Sequence, residues 1–277
     1  MQPRESMNEL VSALPLNGRG ILEYLSLLGV CSLRLGIVMI VFPPAGDGAL
    51  QGTVRNGLVL LFSTYVAYGQ PVELMDTLHG AQLVQTIVRE AAIGFLLAFS
   101  ASTVFWAVQS AGVYIDALTG YNNIQIVNPV RSEQSTPIST LFGQIANTAF
   151  WALGGGVVLL GMLYESYGWS PVSAAWPEST GILSSFLLQQ TDTLMQMIAK
   201  LAAPMAFMLL LVDFGFAFAA KSAPKLDLMN LSQPAKALLA IMLLALFTSL
   251  FIEQVHGPLT LAGLSDRIRE IALRAER

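Results

Sequence analysis

The sequence predicts an all-α integral membrane protein with about six hydrophobic helices, on three observations. Of its 277 residues, 54% are hydrophobic and only 12% charged, with a mean hydropathy of +0.62. Soluble domains carry roughly a quarter charged residues, so a water-facing surface would lack ionic groups, whereas one facing lipid or apolar subunits would not. The apolar residues also gather into runs close to the roughly 20 residues a helix needs to cross hydrocarbon. Finally, stretches such as IGFLLAFSAS and LLLVDFGFAFAA are apolar all round and lack the polar face of a soluble surface helix.

Six segments follow in order. The first, 21–42, is stopped by Pro43 and Pro44, which remove backbone donors, and by the glycines of GDG, which favour a turn. The second, 54–69, is short and carries Arg55 and Asn56 at its start. The third, 84–108, places Gly94, Ala98 and Ser102 at a spacing of four, the small-xxx-small pattern that lets membrane helices approach closely. The fourth is 138–163. The fifth, 194–220, repeats the small-residue spacing at Gly215 and Ala219, and the sixth is 235–252. Residues 109–137 are expected to form a long polar connection. A second connection, 164–193, holds Tyr164, Tyr167, Trp169 and Trp176, aromatics typical of a membrane interface. The tail, 264–277, reads as an amphipathic helix through Leu264, Ile268 and Ile271. The N-terminus lacks the short apolar core and small-residue cleavage site of a signal peptide, so the first segment is expected to stay in the mature chain.

Charge gives a contradictory topology. Lys221, Lys225 and Lys236 place the fifth-to-sixth connection inside, and Arg267, Arg269, Arg274 and Arg277 ask the same of the tail. A single crossing separates them, so the segments do not all cross the bilayer in the ordinary way or one bias is accidental.

Five charges, Glu23, Arg34, Arg89, Glu90 and Asp213, lie inside apolar segments. One at mid-span costs at least about 2.5–3.5 kcal/mol. They read either as an ion pathway or as groups paired with each other or with neighbouring subunits, and the near balance of signs favours pairing, with Arg34 and Glu90 as suggested partners. Catalytic chemistry finds no foothold. His79 and His256 belong to no HExxH, Cys31 is alone, and GxSxG is absent. Asp116 and Asp213 lack the GxGD of an intramembrane protease, and the glycines at 154–156 follow no strand. No enzyme activity, cofactor or metal is expected. A net charge of −4 argues against nucleic acid as a partner.

Four pieces in one order carry a resemblance: LRLGIVMIVFPPAGDGALQGTVRNGL, REAAIGFLLAF, QSAGVYIDALTGYNNIQIVNP and KSAPKLDLMNLSQPAK. Together they resemble the FliR/SpaR/SctT (YscT/HrcT) family, the membrane export-apparatus proteins of type III secretion systems and flagella. The likeness covers roughly residues 28–251, and its LSQPAK ending is nearer the virulence (injectisome) members than the flagellar ones. It implies one domain over 1–277, with a FliP/SctR-like part at about 20–165 and a FliQ/SctS-like hairpin at about 194–252. It further implies a bacterial inner-membrane, multi-pass subunit. The implied partners are FliP/SctR-like and FliQ/SctS-like proteins, with an FlhB/SctU-like switch protein at the base of the entry pore. Unfolded secreted proteins would be the cargo.

The family's central loop, a pore plug, maps onto 112–137 and most tightly onto Gly120, Tyr121, Asn122, Asn123, Ile124, Gln125, Ile126, Val127, Asn128 and Pro129. Mixed polarity suits a seal that must yield, since glycine and asparagine favour turns while isoleucine and valine offer apolar contact. Arg34, Arg89, Glu90 and Asp213 are then expected to serve assembly, and Lys221, Pro224, Lys225, Pro234 and Lys236 to form the hairpin loop. Two departures matter. Lys221 and Lys225 stand where the family commonly has arginine and glutamine, and lysine lacks a bidentate fork. Asn123 and Ile126 stand where flagellar relatives place bulky aromatics, so sealing by phenylalanine packing does not carry over. The rival reading is a proton-coupled secondary transporter built on Glu90, Asp213 and Arg34.

Overall fold

The computed structural model describes residues 18–46, 50–71, 74, 80–121, 126–127, 134–173, 180–222 and 228–259. It is an all-α membrane protein. Helix α1 (Gly18–Val41) ends at a 3-10 turn, Pro43–Ala45, where proline occupies the first turn. Then come α2 (Gly52–Tyr68), α3 (Ala81–Thr119), α4 (Pro137–Ala152), α5 (Gly155–Trp169), α6 (Thr180–Ser222) and α7 (Leu228–Leu259). The only strands among the described residues are two-residue pieces, Ile126–Val127 and Gln134–Ser135, paired antiparallel. By length and composition α1, α3 and α6 can each cross a membrane, and the bent pair α4 and α5 is either a fourth, broken span or a re-entrant loop.

Helix α3 is the spine. At about 1.5 Å per residue its 39 residues run for about 58 Å, nearly twice the hydrocarbon thickness. It packs against α1, α4, α6 and α7. Helices α1 and α3 run in the same direction, since Arg34 meets Glu90 while Ser102 Oγ donates to the Val41 carbonyl at 3.4 Å. Helix α4 returns antiparallel, with Ser139 against Gly112 and Gly143 against Gln109. At the centre, Phe42, Phe105 and Phe150 meet edge to face with centroids 5.2–5.5 Å apart, the geometry aromatic quadrupoles prefer.

Several boundaries correct the sequence reading. The fourth segment is not one helix. It breaks at Gly154, whose φ of +75° is open to glycine, and α4 and α5 meet at 71°. The connection 109–137 is shorter than expected, because α3 continues through Thr119 and so contains Gly112 and Asp116. The connection 164–193 shrinks likewise, since α5 runs to Trp169 and α6 starts at Thr180. Pro234 and Lys236 are not in a loop. Both lie inside α7, and Lys221 is in the last turn of α6. Pro234 is the seventh residue of α7, so the helix continues through it at the loss of one intrahelical hydrogen bond.

Gly94, Ala98 and Ser102 are all buried on α3. At Gly94 an added Cβ would lie 2.9 Å from the Arg34 Cα, so the two backbones touch only because this residue has no side chain. Gly94→Val is therefore expected to push α1 off α3 and cost about 1–3 kcal/mol. Gly57→Val, where nothing lies within 4 Å, is the control. Thermal unfolding of the detergent-purified chain should show a lowered midpoint for the first variant alone. Equal midpoints would contradict the close approach.

Candidate functional site

Two polar fastenings stand on α3, one at its tenth residue and one near its C-terminus, and the candidate site lies beyond the second. At the first, Arg34 of α1 grips Glu90 of α3 with Nε 2.5 Å from Oε2 and Nη2 3.0 Å from Oε1. Arg89 Nη2 reaches the same carboxylate, 2.9 Å from Oε1. All three are buried. Two guanidinium groups share one carboxylate, so a positive excess remains to be satisfied.

The end of α5 satisfies it. Arg34 donates to Ser166 Oγ at 3.0 Å and to the Ser170 carbonyl at 2.5 Å. Arg89 donates to the Pro171 and Val172 carbonyls at 2.8 and 2.7 Å. These acceptors cluster at and just past a helix C-terminus, where aligned peptide dipoles place partial negative charge. The Tyr167 ring covers Arg34 at 4.2 Å from its centroid, a cation–π contact. Tyr167 is held in turn by donating to the Cys31 carbonyl at 2.8 Å.

The second fastening is Asp116, fully buried near the C-terminus of α3. Its carboxylate accepts from the Ile138 amide at 3.0 and 3.2 Å and from the Ser139 amide at 3.0 Å. Those amides belong to the first turn of α4 and lack intrahelical acceptors. The N-cap residue, Thr136, makes no side-chain cap, so Asp116 caps α4 from another helix. The polar segment 120–136 is thereby closed at its base. Its first residue, Gly120, takes φ +82°, with the Gln233 side chain where a Cβ would sit. Tyr121 donates from Oη to the Ala237 carbonyl of α7 at 3.3 Å. Ile126 and Val127 pair with Ser135 and Gln134. Asn122, Asn123, Ile124, Gln125, Asn128 and Pro129 lie outside the described residues, as do Pro224, Lys225, His79 and the tail.

Asp213 stands apart from Glu90. Its carboxylate pairs with Lys236 of α7, with Nζ 3.0 Å from Oδ1. The lysine is buried, but 42% of the Asp213 side chain is exposed, so it is not the buried charge the sequence suggested. Among the described residues no three His, Cys, Asp or Glu side chains are placed to hold a metal. The sequence reading singled out Arg89 but missed the carbonyls it contacts, Asp116 as a cap, and the Asp213–Lys236 pair. Only the last leaves a sequence trace, an acid and a base in consecutive apolar segments.

The profile described as "Bacterial export proteins, family 1" matches residues 25–261. The chain belongs to that family. It is 30% identical to the Yop proteins translocation protein T of Yersinia pestis over 218 residues, which are 77% of this chain and 82% of the relative. It is 26% identical to the secretion system apparatus protein SsaT of Salmonella typhimurium, over 80% of this chain and 86% of that one. The flagellar biosynthetic protein FliR of Bacillus subtilis shares 26% identity over 64% of this chain and 73% of its own length. This export family is the FliR/SpaR/SctT group of type III apparatus proteins, and the chain has a role in export.

The shared carboxylate sets an order of damage. Glu90→Leu strands two buried guanidinium groups and is expected to cost roughly 3–5 kcal/mol, whereas Arg34→Met leaves a neutral Arg89–Glu90 pair and costs less. Unfolding midpoints in detergent, or the amount of chain reaching the membrane, should rank wild type above Arg34→Met above Glu90→Leu. The reverse ranking of the two variants would refute the assignment of excess positive charge.

Proposed function

We propose that this chain is a structural and gating subunit of a type III protein export apparatus. It sits in the bacterial inner membrane and contributes to the entry pore for unfolded substrate proteins. The observation that carries the gating part is the closure of segment 120–136 at its base. Asp116 ties the end of α3 to the start of α4, and Tyr121 ties the segment's beginning to α7. A stretch held at its base can change shape without separating the helices that present it. That combination suits a plug that yields to a polypeptide and closes again.

Helix dimensions support assembly with other subunits. In α6 the stretch 201–220 is flanked by Lys200 and Lys221 and spans about 30 Å, one hydrocarbon thickness. The remainder of α6, 180–200, adds about 30 Å more and still exposes Leu188 and Met195. Apolar surface beyond the hydrocarbon needs protein cover. FliP/SctR-like and FliQ/SctS-like subunits, with an FlhB/SctU-like switch protein, are the partners this reading assigns. The Yop and SsaT likenesses favour a virulence-type apparatus. The transporter reading loses support because both Glu90 oxygens are occupied by guanidinium groups and Asp213 has a separate partner.

Removal of 121–127 should leave the complex assembled but leaky. The expected result is raised permeability to small ions in intact cells, with copurification of two other small membrane proteins unchanged. Unaltered permeability in cells that contain the assembled deletion variant would overturn the gating role.

A further inference from the structure

We infer that the Asp213–Lys236 pair is a docking point for a membrane helix of another subunit, one that presents a neutral hydrogen-bond donor, a hydroxyl or a carboxamide. The inference rests on the reading that this chain works within an assembly.

Position along α6 comes first. Asp213 lies 8 residues before Lys221 and 13 after Lys200, so about 12 and 20 Å separate it from the two flanking lysines. It is therefore well inside the apolar stretch. Its neighbours one turn away on the same face are Leu210 and Ala217, both exposed, and the adjoining surface shows Phe207, Phe214 and Phe218. Across the seam, α7 exposes Leu238, Ile241 and Met242. A carboxylate thus stands half exposed on the rim of an apolar face.

Chemistry then selects what can cover it. An ionised carboxylate offers about four acceptor sites. The contact shown is with one ammonium group, Lys236 Nζ, at 3.0 and 3.3 Å from the two oxygens. The Lys236 side chain is 10% exposed and that of Asp213 42%, so the carboxylate keeps exposed surface after pairing. Lipid tails have no donors, and a polar group left unsatisfied in hydrocarbon costs several kcal/mol. A second cation would satisfy the oxygens but would leave a net positive charge buried, since Asp213 and Lys236 already cancel. A serine, threonine, asparagine or glutamine on an otherwise apolar helix donates without adding charge, and such side chains do hold membrane helices together.

The test uses the full chain in its own cells, in place of the resident copy. A photo-crosslinking amino acid, p-benzoylphenylalanine, is placed at Leu210 or Ala217, and adducts formed on illumination are identified by mass spectrometry. The expected adduct is an apolar segment of a different polypeptide carrying Ser, Thr, Asn or Gln near the linked residue. Asp213→Leu with Lys236→Met removes the anchor without stranding a charge, and adduct yield should fall at least fivefold. Adducts with lipid alone, with a second copy of this chain, or with a segment lacking a neutral donor would overturn the inference. So would an undiminished yield in the double variant. If the double variant fails to accumulate, the identity of the segment linked in the otherwise unaltered chain still decides. Protein export measured in the same strains keeps the two readings apart. Loss of export when the chain is deleted supports the export role even where the docking point fails.

Discussion

Two guanidinium groups and one carboxylate, buried together, form an arrangement that needs outside help. Arg34 and Arg89 share Glu90, and the excess positive charge is met by oxygens at the end of α5. That requirement dictates much of the architecture. Helix α1 must lie beside α3, which Gly94 allows. Helix α5 must bring its C-terminus to the same place, and the 71° bend at Gly154 sets the course by which it does so. Moving any of the three helices leaves a charge uncompensated, and in an apolar setting the loss of one partner costs far more than the intact pair contributes.

The second fastening complements the first. Glu90 and Asp116 are 26 residues apart on α3, about 39 Å, close to the 40–45 Å of a bilayer with its interfacial layers. Between them the spine carries no charge, and its core there is the Phe42, Phe105 and Phe150 cluster. Polar fastenings at the ends and an apolar middle match the way polarity varies across a membrane. The proposed gate then follows Asp116 in the chain, beyond the charge-free stretch of the spine.

The parts legible in the sequence were those with a local signature. Apolar runs marked the helices, Pro43 and Pro44 marked a stop, and the near balance of acids and bases inside apolar segments suggested Arg34 with Glu90. The parts not legible depend on distant backbone. Asp116 looked like a loop residue because it is polar and falls in the stretch 109–137 read as a connection, yet it is buried to serve amides 22 and 23 residues away. The carbonyls of Ser170, Pro171 and Val172 have no side-chain signal at all. Pro234 suggested a loop, but α7 runs through it at the loss of one backbone donor, and its neighbour Gln233 covers Gly120. The plug residues themselves were read from family resemblance, since their composition alone suits any polar connection.

The separation of Arg34 from its partners along the chain also sets a timetable for synthesis. Glu90 follows it by 56 residues, and Ser166 by 132. At 5–20 residues per second, Arg34 waits about 3–11 s for its carboxylate and about 7–26 s for the first acceptor on α5. Until Glu90 has been made, the Arg34 cation of α1 lacks this carboxylate, with an insertion penalty of at least about 2.5–3.5 kcal/mol if it settles in the hydrocarbon alone. The first helix to be made is thus among the last to reach its final place. The nascent chain needs shelter at the insertion machinery until α5 has been made.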